Sequence, residues 1–135
     1  MKRFVLDAWA ILALLQREEP AAERVKGLFE EAALGNAHLF ISIINLGEVF
    51  YRIGKIKGES SATETLNQIR QFQITVLPAS GESVWAAARI KMLHPISFAD
   101  AFAAAAAEAV NAMLVTGDPE LTQLSQHFRI EKLQR

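Results

Sequence analysis

The chain has 135 residues, a single-domain length that can bury a sizeable core. Half of them are apolar (51%), and 14 Lys and Arg against 15 Asp and Glu leave a formal net charge of −1. That balance excludes a disordered chain and a strongly basic global field for nucleic acid. The absence of cysteine removes any disulfide framework or thiolate metal site and suits a reducing cytoplasm.

Lys2 and Arg3 followed by FVLDAWAILALL have the outline of a signal peptide. Asp7 interrupts the apolar run, however, and QREEP offers no small-residue cleavage site, so the segment reads as a buried strand and a helix. No apolar run reaches transmembrane length. Phe4 to Leu6 is the predicted first strand, ending at Asp7, which caps a helix over AWAILALLQ. A second helix opens with Pro20 in its first turn, keeps Ala22, Val25, Leu28, Phe29 and Ala32 at helical spacing, and stops at Gly35. His38 to Ile41 is the second strand.

Ile43 to Lys55 is a predicted helix in which Ile43, Leu46, Val49, Phe50 and Ile53 form one arc at about 100° per residue. Glu48 falls opposite that arc, near Arg52 and Lys55. Gly54 and Gly58 punctuate the RIGKIKGE stretch. A helix from Ser60 to Phe72 follows, with Leu66, Ile69 and Phe72 inward, then a strand from Ile74 to Leu77 closed by Pro78. Ser83 to Leu93 is a helix carrying Trp85, ended by Pro95. An alanine-rich helix, a strand from Ala112 to Thr116, a helix from Pro119 to His127 and an edge strand from Phe128 to Leu133 complete the chain. Short buried strands alternating with helices predict an α/β fold with a parallel sheet. With no internal repeat and no linker, residues 1–135 read as one domain.

Asp7 and Asp118 each follow an apolar strand and precede a helix, while Asp100 lies three residues after Ser97, a capping box with Asp in place of Glu. Singly, each is explained as a cap, Asp118-Pro119 especially so. Glu48, inside a helix, is explained by an i,i+4 pair with Arg52 that stabilises by about 0.3–0.5 kcal/mol. Ile44 and Tyr51 flank it, and a fully wet face has no use for them, so this face borders a cleft.

Jointly the acids mean more. Three strand-to-helix junctions in a parallel sheet lie along one edge, where ligands bind. Carboxylates gathered there repel one another unless a cation neutralises them. Oxygen-only donors suit Mg²⁺ or Mn²⁺, ions that clamp phosphate oxygens and activate water. The residues thus point to metal-assisted phosphodiester hydrolysis.

The stretches FVLDAWAILALL, ISIINLGEVFYRIGK, HPISFADAFAAAAAE and MLVTGDPEL, in that order over nearly the whole length, resemble PIN-domain ribonucleases. They are most similar to the small VapC-type toxins of prokaryotic toxin–antitoxin pairs. The resemblance implies a three-layer α/β/α fold with a central parallel sheet of order 3-2-1-4-5. It puts Asp7, Glu48, Asp100 and Asp118 on the family's metal-site positions and Thr116 on its hydroxyl position. It implies a Mg²⁺- or Mn²⁺-dependent endoribonuclease leaving a 5′-phosphate and a 3′-hydroxyl, a homodimer, and a cognate antitoxin whose C-terminal segment wraps the toxin. One departure stands out: Ala8 and Trp9 follow Asp7, where many relatives carry a hydroxyl residue.

The remaining polar and aromatic candidates divide two ways. Arg52, Lys55 and Lys57 are a solvated helix end or a grip on RNA phosphates. Trp9 and Trp85 are core residues or contacts in an antitoxin groove. His38, His94 and His127 are scattered, without metal-site spacing. Among other functions, a haloacid-dehalogenase-like phosphotransferase needs a second Asp where Trp9 stands, and a phospho-receiver needs an acidic pair near its first strand. The remaining alternative is a non-catalytic PIN-fold module that binds RNA or protein.

Overall fold

The central strands are apolar at consecutive positions because both faces of the sheet are covered. In the computed structural model, which describes residues 1–135, the chain runs β1 (Lys2–Leu6), α1 (Ala8–Leu15), α2 (Ala21–Ala33), β2 (Ala37–Ser42), α3 (Ile43–Lys57), α4 (Glu59–Arg70) and β3 (Ile74–Leu77). It continues through α5 (Gly81–Leu93), α6 (Phe98–Ala109), β4 (Met113–Thr116), α7 (Pro119–Thr122) and β5 (Ile130–Lys132). The strands form one five-stranded sheet in the order β3-β2-β1-β4-β5, every pair parallel.

Register sorts the core into two layers. Val5 pairs with Phe40 on one side and Leu114 on the other, and this row packs against α5, α6 and Leu121 of α7. Phe4, Leu6, Leu39, Ile41 and Val115 point to the opposite face, under α1 to α4. Alternate side chains of one strand thus feed different layers, as the two-residue strand period requires. Ala103 to Ala107 of α6 are all buried, so their methyl groups let the helix lie close to the sheet and to α5. No helix is long and apolar enough to cross a membrane.

Several boundaries differ from the sequence reading, each for a local reason. Pro20 is the residue before α2 instead of part of its first turn, and the Glu19 carboxylate caps that helix by accepting the Glu23 N–H at 2.9 Å. Gly54 does not break α3. It sits against α4, where an added Cβ would lie 3.7 Å from that of Ala62. The break is Gly58 alone, at φ +91°. Phe72 falls beyond the end of α4 and is half exposed, although its ring centroid is 5.0 Å from that of Phe29. The helix expected to reach His127 ends at Thr122, and the residues from Gln123 to His127 form turns that bury Leu124. Asp100 is not at a strand-to-helix junction, because α5 and not β3 precedes α6. The apolar run of α1 is core: Ala8 and Ala10 to Ala13 are buried.

The two glycines of the α3–α4 region should respond oppositely to alanine. Gly58→Ala forces a side chain into left-handed backbone and should cost about 1–2 kcal/mol. Gly54→Ala meets only an ordinary contact and gains helix propensity, so it should be neutral or stabilise by up to about 1 kcal/mol. Urea unfolding of both variants checks this, and a costly Gly54→Ala would contradict the packing described.

Candidate active site

The chain leaves β1 for β2 on one side and later returns as β4 on the other, so the C-terminal ends of β1 and β4 flank a crevice where the strand order reverses. Asp7 directly follows β1 and is 2% exposed. As the N-cap of α1, its Oδ1 accepts the Ala10 N–H at 2.9 Å. Its Oδ2 accepts a short hydrogen bond from the hydroxyl of Thr116, the fully buried last residue of β4. The same hydroxyl oxygen accepts the Asp118 N–H at 3.0 Å, which leaves its proton for Asp7. One side chain thus ties the β1 carboxyl to the turn after β4. Asp118 caps α7, accepting the Glu120 N–H at 2.9 Å with Pro119 in the first position.

Asp100 arrives on α6. Ser97 caps that helix by accepting the Asp100 N–H at 3.1 Å, but the reciprocal half of the box is absent. The Ser97 N–H meets Glu120 Oε1 at 3.4 Å instead, so the buried Asp100 carboxyl is released toward α7. Carboxylate oxygens of Asp100, Asp118 and Glu120 lie within 4.8 Å of one another. Asn45 of α3, 1% exposed, donates to the Ala99 carbonyl at 3.1 Å and holds the first turn of α6 against α3. Glu48, one turn along the same helix, is half-buried and pairs with Arg52 at 3.2 Å.

Asp7, Glu48, Asp100 and Asp118 line one cleft of about 470 Å³, together with Trp9, Tyr51, Arg52, Lys55 and Arg135. The four acids chosen from sequence therefore converge. Lys57 does not join them, lying exposed at the end of α3. Ile44 turns away to pack on the α5–α6 layer. Trp9 forms part of the cleft wall, and Trp85 is 66% exposed in a separate groove of about 520 Å³ with Phe102 and Ala105. The histidines are less scattered than expected, since the His94 and His127 rings come within 4.8 Å. Sequence reasoning missed Glu120, Asn45 and Arg135. Glu120 carried a signal, an acid in the first turn of the helix that Asp118 caps, and Asn45 was a polar residue one turn before Val49 on an apolar face. Arg135 carried none.

Burial pushes the Asp7 carboxyl up from its usual 3.8 to about 7; the charges of Asp118 and Glu48 add to this, while the Thr116 and Ala10 hydrogen bonds oppose it. Asp100 rises to about 8 through burial, a hydrogen bond to Glu120 that favours the protonated form, and the neighbouring Asp118 and Asp7. Carboxyls held this far from their ionised form stand ready for a cation that would relieve the repulsion. The donors are oxygens alone, with no thiolate or imidazole lining the cleft, which fits Mg²⁺ or Mn²⁺.

Residues 4–126 match the pattern of the PIN domain family. No curated protein matches the chain in sequence. Among solved structures, the fold is similar to VapBC2 from Rickettsia felis bound to a DNA fragment from its promoter, at 18% identity, TM-score 0.74, and coverage of 98% of this chain and 99% of that one. DNA-bound VapBC from Salmonella typhimurium gives 20% identity, TM-score 0.73 and 98% coverage of both chains. VapC20 from Mycobacterium tuberculosis, a sarcin–ricin-loop-cleaving toxin, gives 17% identity, TM-score 0.72, and 93% and 95% coverage. At these identities the likeness is one of fold.

The raised carboxyls set a pH dependence for the metal-free protein. Both groups hold their proton more tightly folded than unfolded, so the stability they contribute is full below about pH 4 and is lost as pH rises through about 7 and about 8. In EDTA, Tm should fall between about pH 4 and about pH 8, and Asp100→Asn should make that fall shallower throughout and end it near pH 7. A Tm that rises across that interval in wild type would contradict it.

Proposed function

The chain belongs to the PIN-domain family, and on that premise we propose that it is a divalent-metal-dependent endoribonuclease, the toxin of a toxin–antitoxin pair. The supporting observation is the gathering of Asp7, Glu48, Asp100 and Asp118 in one cleft at the strand-order switch point, with Glu120 adjoining. These carboxylates would hold Mg²⁺ or Mn²⁺. When bound, such a cation clamps phosphate oxygens and makes water a nucleophile at neutral pH.

The protein's own contribution is orientation. Ala10 N–H fixes one oxygen of Asp7 and Thr116 fixes the other, and each oxygen keeps further acceptor capacity. Thr116 supplies from β4 the hydroxyl that Ala8 and Trp9 do not offer beside Asp7. Asn45 sets the start of α6, and hence Asp100, against the helix that carries Glu48. Arg52 and Lys55, on the rim, receive phosphate oxygens of the RNA.

An antitoxin holds the enzyme off by entering the same cleft with a cationic side chain. Arginine suits it best, because its planar fork matches a carboxylate in two places and it does not lose its charge. The chain pairs as a homodimer through α5, where Trp85, Met92 and Leu93 are 66%, 78% and 78% exposed.

Mn²⁺ titration of the wild type should raise Tm by mass action. Asp7→Asn and Asp100→Asn should abolish most of that gain and lower RNA cleavage by more than about 100-fold, with the fold retained. Thr116→Val, which removes only the orienting hydroxyl, should cost about 10–100-fold in metal affinity or rate. Cleavage at the wild-type rate in EDTA would refute the metal mechanism. RNA binding with no metal-dependent shift or cleavage would leave a non-catalytic PIN-fold module.

A further inference from the structure

The cleft contains two aromatic rings for which metal-assisted hydrolysis has no use. Trp9 lies over Gly117, where an added Cβ would come within 2.3–2.5 Å of the ring atoms Cη2, Cζ2 and Cζ3. Glycine at 117 is therefore what lets the indole settle on the turn between Thr116 and Asp118, beside the carboxylates. The Arg135 guanidinium is 5.2 Å from the centre of that indole and pairs with Glu18 at 3.2 Å. Across the cleft wall built by α3, Tyr51 is half exposed, and the Lys55 ammonium is 5.8 Å from its ring. Both aromatic–cation pairs line the cleft that holds the four acids.

Two such pairs beside a phosphate-handling centre have a specific use. Alternating aromatic rings and cations are how proteins hold single-stranded nucleic acid: bases stack on the rings and cations take the backbone. Arg135 is more than half exposed, and an exposed ion pair of this kind is weak. Its guanidinium can leave the indole for a neighbouring phosphate as a base replaces it. A duplex keeps its base faces stacked internally, so only unpaired nucleotides can use the rings. The mixed charge of the walls suits a polyanion carrying bases better than an apolar helix.

We propose that Trp9 and Tyr51 form a base-stacking subsite for unpaired RNA, with Arg135 and Lys55 moving from the rings to the flanking phosphates. The proposal rests on the reading that the cleft takes RNA.

The chain has two tryptophans, so Trp85→Phe leaves Trp9 as the sole indole reporter. In that background, with Asp7→Asn to keep RNA intact, a short single-stranded oligoadenylate should quench Trp9 emission saturably. The same oligomer with abasic sites should bind about 10- to 100-fold more weakly and leave the emission unchanged. A blunt RNA duplex should also fail to quench. Trp9→Phe should retain most of the affinity, while Trp9→Leu, with its native circular dichroism retained, should fall to the abasic level; Tyr51→Leu should give an intermediate loss. Equal binding of base-bearing and abasic oligomers, or quenching by the duplex, would overturn the proposal. Binding is read without turnover, so the two readings fail separately. Base-dependent quenching in a protein whose wild type cleaves no RNA would refute the nuclease reading alone, and metal-dependent cleavage with base-independent binding would refute the stacking subsite alone.

Discussion

A carboxyl group almost sealed from water ends the strand at the centre of the sheet, and much of the surrounding geometry follows from satisfying it. Asp7 can be buried only because both of its oxygens accept hydrogen bonds, one from the first turn of α1 and one from Thr116. The second bond requires β4 to lie directly beside β1, in the register that pairs Leu6 with Val115. It also requires the Thr116 hydroxyl to point at Asp7, an orientation set by the Asp118 N–H that occupies its acceptor side. A single hydroxyl therefore couples two strands and positions two acids. Those bonds lower the cost of charge on Asp7 without removing it, which is why its pKa stays near neutrality.

The other acids reach the cleft by less direct routes. Asp100 comes from a helix that follows another helix, and its direction depends on a capping box left half-made because Glu120 takes the Ser97 N–H. The close approach of α6 is a consequence of its alanines, since larger side chains from Ala103 to Ala107 would lift it from the sheet. Asn45 then locks its first turn to α3. Packing of small groups and a single buried amide together set the spacing between the carboxylates, and that spacing decides whether one cation can be shared.

The molecule also divides its surface between tasks. Around the carboxylates the walls mix charged side chains with the rings of Trp9 and Tyr51, and Ala8, Trp9 and Leu12 there are backed by core. On α5 the large apolar groups Trp85, Met92 and Leu93 are exposed beside Glu82, Arg89 and Lys91, and apolar surface of that size gains from contact with protein. The apolar side chains of α1, by contrast, are spent inside the first core layer.

Much of the fold was legible before any coordinates. The strand from Ile74 to Leu77 and the caps at Asp7, Ser97 and Asp118 follow from patterns only a few residues long, in which neighbours along the chain do the deciding. The switch-point acids were legible for the same reason, and the family motifs supplied the strand order. Glu120 and Asn45 carried local hints that did not say what they meet, and Arg135 carried none. Arg135 meets Glu18 and Trp9 across nearly the full length of the chain, and the seat of Trp9 on Gly117 joins the first helix to the last turn. The tilted contact between the His94 and His127 rings is likewise a product of distant segments. Sequence determined which residues begin helices, which fill the sheet and which acids stand at its edge, because those choices are governed by local backbone chemistry. Only the tertiary structure decided which of them meet, how far their protons are held, and what stands beside them, because those depend on crossovers and packing that bring remote residues within a few ångströms.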